Sequence, residues 1–401
     1  MEIAMVFDGL DVGGIEKVGA TYSKLLTKNG NKVTIVNLQP KKKNMISQFS
    51  NSCNFIDFFY SREFAPERYE QIVKKTNIGK YMYPFIFIML VFFNFIYKLI
   101  FKLVTRQNKY DLVIAFSGHF NDLSFVGREY LKGKKKVCWL HGALYQYLLI
   151  SSGYLELYRK IKNLVVLVDD NQREALMYNN CRLNINKIYN PINVSTHDFD
   201  ENKVKYIKKK YGDFILMVAR FSYPHKDQFT VIKAFEILVK KFHVEYNLLF
   251  IGNGPDLERV KRFTKQLNTE VQKRIFFIGE KQNVNDYYRS ASILVHSSVV
   301  GEGLPTVILE ALQNHLPVVS TDSKVGPREI LGDNEYGLLC KIQDAKDMAQ
   351  KIYSVSSNPT LREKLIKRGN KRINDFSLDN IYKKFLELSN EEVEKEKENE
   401  S

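Results

Sequence analysis

Two carboxylates stand eight residues apart in "GEGLPTVILEALQNHLPVV", residues 301–319. Glu302 lies between Gly301 and Gly303, and Glu310 interrupts an apolar run built for burial. The stretch has the pattern of a strand end, a glycine loop and a helix. Gly303 lets the backbone come close to a ligand. The segment Leu304, Pro305, Thr306 falls where helix-start amides and the helix dipole favour phosphate, and Pro305 suits a first turn. A carboxylate beside phosphate is repelled, so Glu302 is expected to face neutral hydroxyls. Glu310, two turns into the helix, shares a face with the loop end. Carboxylates accept hydrogen bonds from sugar hydroxyls, so a sugar–phosphate ligand accounts for both. A helix-start glutamate plus an ion-paired one is the plainer alternative.

Two cations follow an apolar strand in "MVARFSYPHKD" (217–227): Arg220, and Lys226 six residues on. Cations at the C-terminal edge of a parallel sheet can clamp a diphosphate; taken alone, such a pair is more often two surface charges. "FDGLDVGGIEKV" puts Gly13 and Gly14 between the first strand and the first helix, without a GxGxxG pattern or a ribose-binding acid after the second strand. That argues against a nicotinamide site. His141 ends "KKVCWLHG", again at a strand's C-terminal edge, and His119 in "AFSGH" carries a weaker signal of the same kind. The "DFD" at 198–200 has the form of a metal–diphosphate site but lies in a polar connector, so it is assigned to the linker.

The elements that must position these residues alternate in type. Strand candidates are 3–7, 32–37, 112–116, 136–140 and 164–168, then 214–219, 247–251, 275–278, 293–296, 317–320 and 337–340, with amphipathic stretches between. Such alternation predicts βαβ units and parallel sheets. The two series predict two doubly wound α/β domains meeting near residues 190–213, a polar stretch broken by Pro191. Four scattered cysteines make no CxxC pair, which fits a reducing cytosol rather than a disulfide framework. The start, MEIAMVFDGL, has no basic n-region and is read as a strand, not a signal peptide.

The net charge of +15 is uneven: residues 1–190 carry +12 and 191–401 carry +3. An anionic partner for the first half is one reading, and solubility charge the other. Residues 81–106, "YMYPFIFIMLVFFNFIYKLIFKLVTR", hold a dense apolar run at 85–97, too short for a membrane span. A helix there aligns Lys98, Lys102 and Arg106 beside an aromatic surface, the pattern of a helix lying in a membrane interface. A buried crossover helix is the main competing reading, and a true membrane span the least favoured. The end, "EEVEKEKENES" (391–401), has six glutamates and is expected to be a solvated acidic tail.

These motifs together resemble the retaining GT-B glycosyltransferases of the glycosyl transferases group 1 family (glycosyltransferase family 4) over nearly the whole chain. Glu302 and Glu310 match that family's EX7E segment. "GGIEKV" (13–18), "NPIN" (190–193), Arg220 with Lys226, "IGNGP" (251–255), "GEKQNV" (279–284) and "VGPREIL" (325–331) occur in its order. The resemblance implies two facing Rossmann-like domains: residues 1–190 on the acceptor side and 191–375 binding the nucleotide-sugar. A helix within 376–390 then crosses back, before the tail. It implies Arg220 and Lys226 on the diphosphate, Glu310 on the ribose, Glu302 on the donor sugar and the amides of the Leu304–Thr306 stretch on phosphate, with Gly303 and Pro305 also lining the donor. Gly252, Asn253, Gly254, Lys281 and Val284 fall near the base, Gly14 near the diphosphate and His141 near the donor sugar. Asn314-His315 and the bulky turn 221–225 depart from the family pattern and leave the donor's identity open.

The implied activity is sugar transfer with retention, without metal or cofactor, from a nucleotide-sugar to a lipid-linked or surface-polysaccharide acceptor. UDP-sugar is the first choice and GDP-mannose the second. The implied location is the inner face of the cell membrane, held to an anionic surface by residues 81–106. A nucleotide-sugar 2-epimerase and a non-enzymatic polyanion-binding protein are the rival readings. No nucleic-acid module is present to support the latter.

Overall fold

The structure, a computed structural model, describes residues 1–69, 76–105, 109–142, 144, 147–148, 153–177, 183–192, 199–300 and 303–399, with side chains described up to residue 389. The chain divides into two compact units: Met1–Pro191 with Ile381–Ser401, and Ile192–Asn380.

The first unit is built on a seven-stranded parallel sheet of order β3-β2-β1-β4-β5-β6-β7. Its strands are β1 (Glu2–Phe7), β2 (Lys32–Asn37), β3 (Asn54–Asp57), β4 (Lys109–Ala115), β5 (Lys132–Leu140), β6 (Asn163–Val166) and β7 (Asn184–Lys187). Around it run helices α1 (Gly14–Lys28), α2 (Asn77–Val104), α3 (Phe120–Gly127), α4 (Gly153–Ile161) and α5 (Asp169–Met177). Ile3 to Phe7 are fully buried because β1 is covered on both faces. The two strands that the sequence does not announce, β3 and β7, are the edges of this sheet. Edge strands are covered less, so "NFID" and "NINK" need no apolar run.

The second unit has a six-stranded parallel sheet of order β10-β9-β8-β11-β12-β13. The strands are β8 (Phe214–Val218), β9 (Asn247–Ile251), β10 (Ile275–Phe277), β11 (Ile293–His296), β12 (Val318–Thr321) and β13 (Leu338–Cys340). Its helices are α6 (Glu201–Tyr211), α7 (Gln228–Phe242), α8 (Leu257–Thr264), α9 (Thr269–Gln272), α10 (Asn285–Ser290), α11 (Thr306–Gln313), α12 (Pro327–Leu331), α13 (Ala345–Ser357) and α14 (Pro359–Arg372). The last helix, α15 (Leu378–Asn399), packs into the first unit from Ile381 onward. Phe385 is fully buried near Tyr22 and Trp139, and the Tyr382 hydroxyl accepts from Asn31 at 3.1 Å. The Lys135 ammonium donates to the Leu388 carbonyl at 2.6 Å.

Helix α2 corrects two expectations. It is one helix of 28 residues, because a threonine cap at Thr76 starts it well before the dense apolar run. It is therefore long and apolar enough to cross a membrane, with mean hydropathy 2.1 over its best window, where the sequence reading set the run down as too short. It is also not a buried crossover helix: only 17% of that window is buried. Phe85, Ile88, Met89, Phe92, Phe95 and Leu103 are exposed. One narrow stripe, with Leu90, Asn94 and Phe101, packs on the domain. Lys98 belongs near that stripe and donates to the Arg128 carbonyl at 3.1 Å, so it does not join Lys102 on an outward basic face. Arg106 lies outside the described residues.

Asn94 pins α2. Its amide donates to the carbonyls of Leu90 (2.8 Å) and Phe64 (2.6 Å), and its Oδ1 accepts from the Tyr130 hydroxyl at 2.9 Å. An unpaired buried polar group costs about 1–3 kcal/mol. Asn94→Ala is therefore expected to lower unfolding free energy by about 2 kcal/mol in urea titration; an unchanged midpoint would remove Asn94 as the anchor of α2.

Candidate functional site

Strand order in the second unit reverses between β8 and β11, and the loops after these strands bring the candidate residues together. In open α/β sheets such a switch point leaves a crevice at the carboxyl ends of the strands. Arg220 is exposed two residues after β8. Its loop is fixed from below. Phe221 turns into the core beside Phe250 and Phe277, so the turn 221–225 is less bulky toward the crevice than its sequence suggests. The Asp227 amide donates to the Ser297 carbonyl at 2.9 Å, and the Asp227 carboxylate caps α7 through the Thr230 amide (3.1 Å) and hydroxyl (2.6 Å).

Between these anchors, Lys226 Nζ meets His296 Nε2 at 3.2 Å. An ammonium only donates, so Nε2 is the acceptor and the imidazole proton resides on Nδ1. That nitrogen lies 3.1 Å from the Ser320 hydroxyl, which can accept it. His296 is 1% exposed. The chain Lys226–His296–Ser320 thus ties the loop that follows β8 to the ends of β11 and β12. Sequence reasoning missed His296 and Ser320. The available signal was a histidine closing the apolar strand "ILVH".

Glu310 lies on α11, half-buried, and its Oε2 accepts from the Tyr288 hydroxyl at 2.8 Å. Burial, with the Glu310 carboxylate beside it, holds the Tyr288 phenol well above its ordinary range, so it remains a donor. Tyr288 orients one carboxylate oxygen and is a second residue that the sequence reading missed. Pro305 is the N-cap residue of α11, with Leu304 buried before it and Thr306 exposed as the first helical residue. Gly303 is described and Glu302 lies outside the described residues, so the pairing of the two carboxylates rests on sequence. The helix ends with Asn314 and His315, the latter at φ 59° where a glycine sits more easily.

Gly252 and Gly254 have a reason of their own. A Cβ on Gly252 would stand 2.1 Å from the Ala219 carbonyl oxygen, and one on Gly254 would stand 2.3 Å from that of Phe221. The Arg220 loop crosses directly over them, and the Phe221 amide donates to the Asn253 carbonyl at 2.9 Å. Lys281 is exposed. The Val284 carbonyl accepts the Tyr287 and Tyr288 amides at 3.0 Å, which starts α10 and places Tyr288. Of "DFD", Asp198 lies outside the described residues. Asp200 caps α6, and Phe199 packs under the Arg289 guanidinium at 4.7 Å.

In the first unit Gly14 opens α1, and a Cβ there would meet nothing within 4 Å. His141 follows β5, and its Nε2 lies 2.8 Å from the Phe116 carbonyl, so Nε2 carries the proton. Burial pushes the imidazole down to about 4, leaving it neutral at neutral pH. His119 joins Asp8, with Nδ1 to Oδ2 at 3.4 Å, in a cluster that the sequence did not assemble.

Residues 198–372 match the model of the glycosyl transferases group 1 family, and that segment of the chain is a domain of this family. A Campylobacter jejuni protein named GalNAc-alpha-(1->4)-GalNAc-alpha-(1->3)-diNAcBac-PP-undecaprenol alpha-1,4-N-acetyl-D-galactosaminyltransferase is 28% identical over 176 residues, 44% of this chain and 47% of its own length. An uncharacterized glycosyltransferase of Haemophilus influenzae is 29% identical over 161 residues, 40% of this chain and 44% of its own. The matched part thus spans about half the length of these relatives. Anabaena Alr3699/HepE, solved with UDP, superposes with TM-score 0.72 and 16% identity over 97% of this chain and 99% of its own. A Rickettsia africae glycosyltransferase does so at 0.71 and 18%, over 97% and 98%. The fold is GT-B: two Rossmann-like domains with parallel sheets.

Two outcomes are expected of this geometry. His296→Phe removes the acceptor beside Lys226 and should weaken binding of a nucleotide diphosphate about tenfold, the scale of one hydrogen bond to a charged group; His296→Gln, which restores an acceptor, should recover part of it in the same titration. His141, lowered in the fold, contributes stability that is present above its unfolded pKa of about 6.5 and lost as pH falls toward 4. The gap in urea midpoint between wild type and His141→Phe should therefore narrow from pH 7 to pH 4, and a constant gap would contradict a neutral buried imidazole.

Proposed function

We propose that the protein is a glycosyltransferase that moves a sugar from a nucleotide-sugar, with UDP as the nucleotide, to a lipid-linked or surface-polysaccharide acceptor at the inner face of the cell membrane. The observation that carries this reading is the crevice of the group 1 domain. There Arg220, the Lys226–His296 pair, the start of α11 and the Tyr288-oriented Glu310 converge at the β8/β11 switch point. UDP is favoured by the Anabaena neighbour, and a lipid-linked acceptor by the Campylobacter relative.

In this reading Arg220 and Lys226 hold the diphosphate, the amides of Leu304 and Thr306 complete the anion site, and Glu310 accepts from the ribose. The anomeric C–O bond to the diphosphate breaks, the acceptor oxygen bonds to the same carbon from the same face, and the acceptor proton passes to the departing phosphate. The anomeric configuration is retained. The cations and amides stabilise the leaving group, an effect worth a few kcal/mol per preorganised donor, about 3 at a typical site. Glu302 holds the donor sugar's hydroxyls, and the neutral His141, its Nε2 proton committed to the Phe116 carbonyl, accepts beside it through Nδ1. No metal takes part in these steps, and no cofactor beyond the donor. Helix α2 lies against the membrane with its exposed apolar faces, and the basic first half of the chain favours an anionic surface.

Four measurements test this. A thermal-shift screen against UDP, GDP and ADP should single out UDP, since a ligand at 100 times its dissociation constant stabilises by about 2.7 kcal/mol; a shift with GDP alone would replace the donor, and none would remove the nucleotide-sugar reading. Lys226→Ala and Glu302→Ala should each abolish turnover with little change in the thermal midpoint. Activity should survive EDTA, whereas loss restored by manganese would overturn the metal-free route. In vesicle flotation, binding should rise with anionic lipid and fall when Phe85, Ile88 and Phe92 are replaced by serine.

A further inference from the structure

The stretch of the second unit that leads into α11 is braced at both ends. Its entry is bonded to two neighbouring segments. The Val299 amide donates to the Pro224 carbonyl at 3.0 Å, inside the turn that carries Arg220 and Lys226. The Ser298 amide donates to the Thr321 hydroxyl at 2.9 Å, and that hydroxyl donates back to the Ser298 carbonyl at 3.1 Å, at the end of β12. The exit is supported differently. The chain that leaves β12 passes against it at Gly326. A Cβ on Gly326 would overlap the Gly303 carbonyl oxygen and stand 2.8 Å from Pro305 Cδ. Contact alone therefore requires glycine there, and its φ of 110° requires it a second time.

The residue before it is an outlier. Val325 has φ 69° and is 1% exposed. A β-branched side chain is rarely found in that region. Such a conformation persists only where its surroundings over-determine it, and it clusters at ligand clamps and active sites. Here the surroundings do so. Arg328 closes the turn from the solvent side: its Nε donates to Asp322 Oδ1 at 3.1 Å, and its other nitrogens reach Asp322 Oδ2 and Asp333. On the inner side the Ile330 amide donates to the Gly326 carbonyl at 3.2 Å, and Ile330 and Leu331 are fully buried.

An anion held by backbone amides depends on where the backbone lies, because no side chain can swing to restore a misaligned hydrogen bond. We propose that the Val325–Gly326 turn is the seat of the anion loop: its contact with Gly303 and Pro305 sets the level of the Leu304 and Thr306 amides, and with it the hold of the second unit on a diphosphate. This rests on the nucleotide-sugar reading above and names what keeps that site in register. Gly326 is a positioning residue, which acts through Gly303 and Pro305 rather than on the ligand.

Calorimetric titration of the full chain with UDP, beside ligand-observed NMR titration with uridine, tests the seat. Uridine has no phosphate for the loop to hold. Gly326→Ala displaces the Gly303 carbonyl, so affinity for UDP should fall about tenfold, the scale of one hydrogen bond to a charged group, while that for uridine is unchanged. A role in stability alone lowers the thermal midpoint and leaves the ratio of the two affinities where it was. Val325→Gly covers the case in which Gly326→Ala does not fold, since glycine adopts this φ freely. It frees the turn and should weaken UDP about threefold, the scale of the backbone entropy that a glycine gives up on ordering, again with uridine unchanged. Intact UDP affinity in folded Gly326→Ala, or in Val325→Gly where the first does not fold, would overturn the seat and leave the nucleotide-sugar reading standing. Equal losses for UDP and uridine would overturn it too, as a general disturbance of the domain. Wild type that binds no UDP would instead overturn the UDP reading on which the seat rests.

Discussion

A parallel strand can bond its neighbour only if the chain returns to the same end of the sheet before each strand begins. That constraint governs both units. Every strand after the first of its sheet is preceded by a crossover, so the loops that follow the strands gather at one edge, and the order reversals at β1/β4 and β8/β11 part those loops into crevices. Several chemistry-bearing residues lie at or within two residues of strand ends: Asp8 after β1, His141 after β5, Arg220 after β8, His296 at the end of β11.

The two crevices differ in charge. In the second unit Arg220 is exposed and Lys226 half-buried, and the buried imidazole of His296 holds the Lys226 ammonium without neutralising it. A carboxylate in that position would form an ion pair and compete with an anionic ligand. The neutral acceptor orients the ammonium without an ion pair between the two. In the first unit the same topology gathers Asp8, Glu63, Arg62 and His119, two carboxylates with one guanidinium and one imidazole.

Helix α2 belongs to neither crevice, yet it supports one. A helix with large apolar residues on nearly all sides is usually either buried or in lipid. Here a single stripe centred on Asn94 is buried, and that stripe holds residues 58–64. The polar Asn94 inside an apolar run, which looks like an interruption in the sequence, is the residue that docks the helix.

Composition and periodicity determined the architecture almost fully: the apolar strands, their alternation with helices and the two series follow from burial on both faces of a parallel sheet. Within the site, the spacing of Gly303, Pro305 and Glu310 and the position of Arg220 and Lys226 after a strand were legible, because they are local. Tertiary structure alone decided what is set by contacts across the chain. The edge strands β3 and β7 carry no apolar run, since one side of each is open. His296 reaches Lys226 and Tyr288 reaches Glu310 only because separate strands and helices bring them together, 70 and 22 residues apart in sequence. The direction of Lys98 and the exposure of α2 depend on which stripe the domain covers, and helical periodicity fixes which residues share a face but not which face is covered.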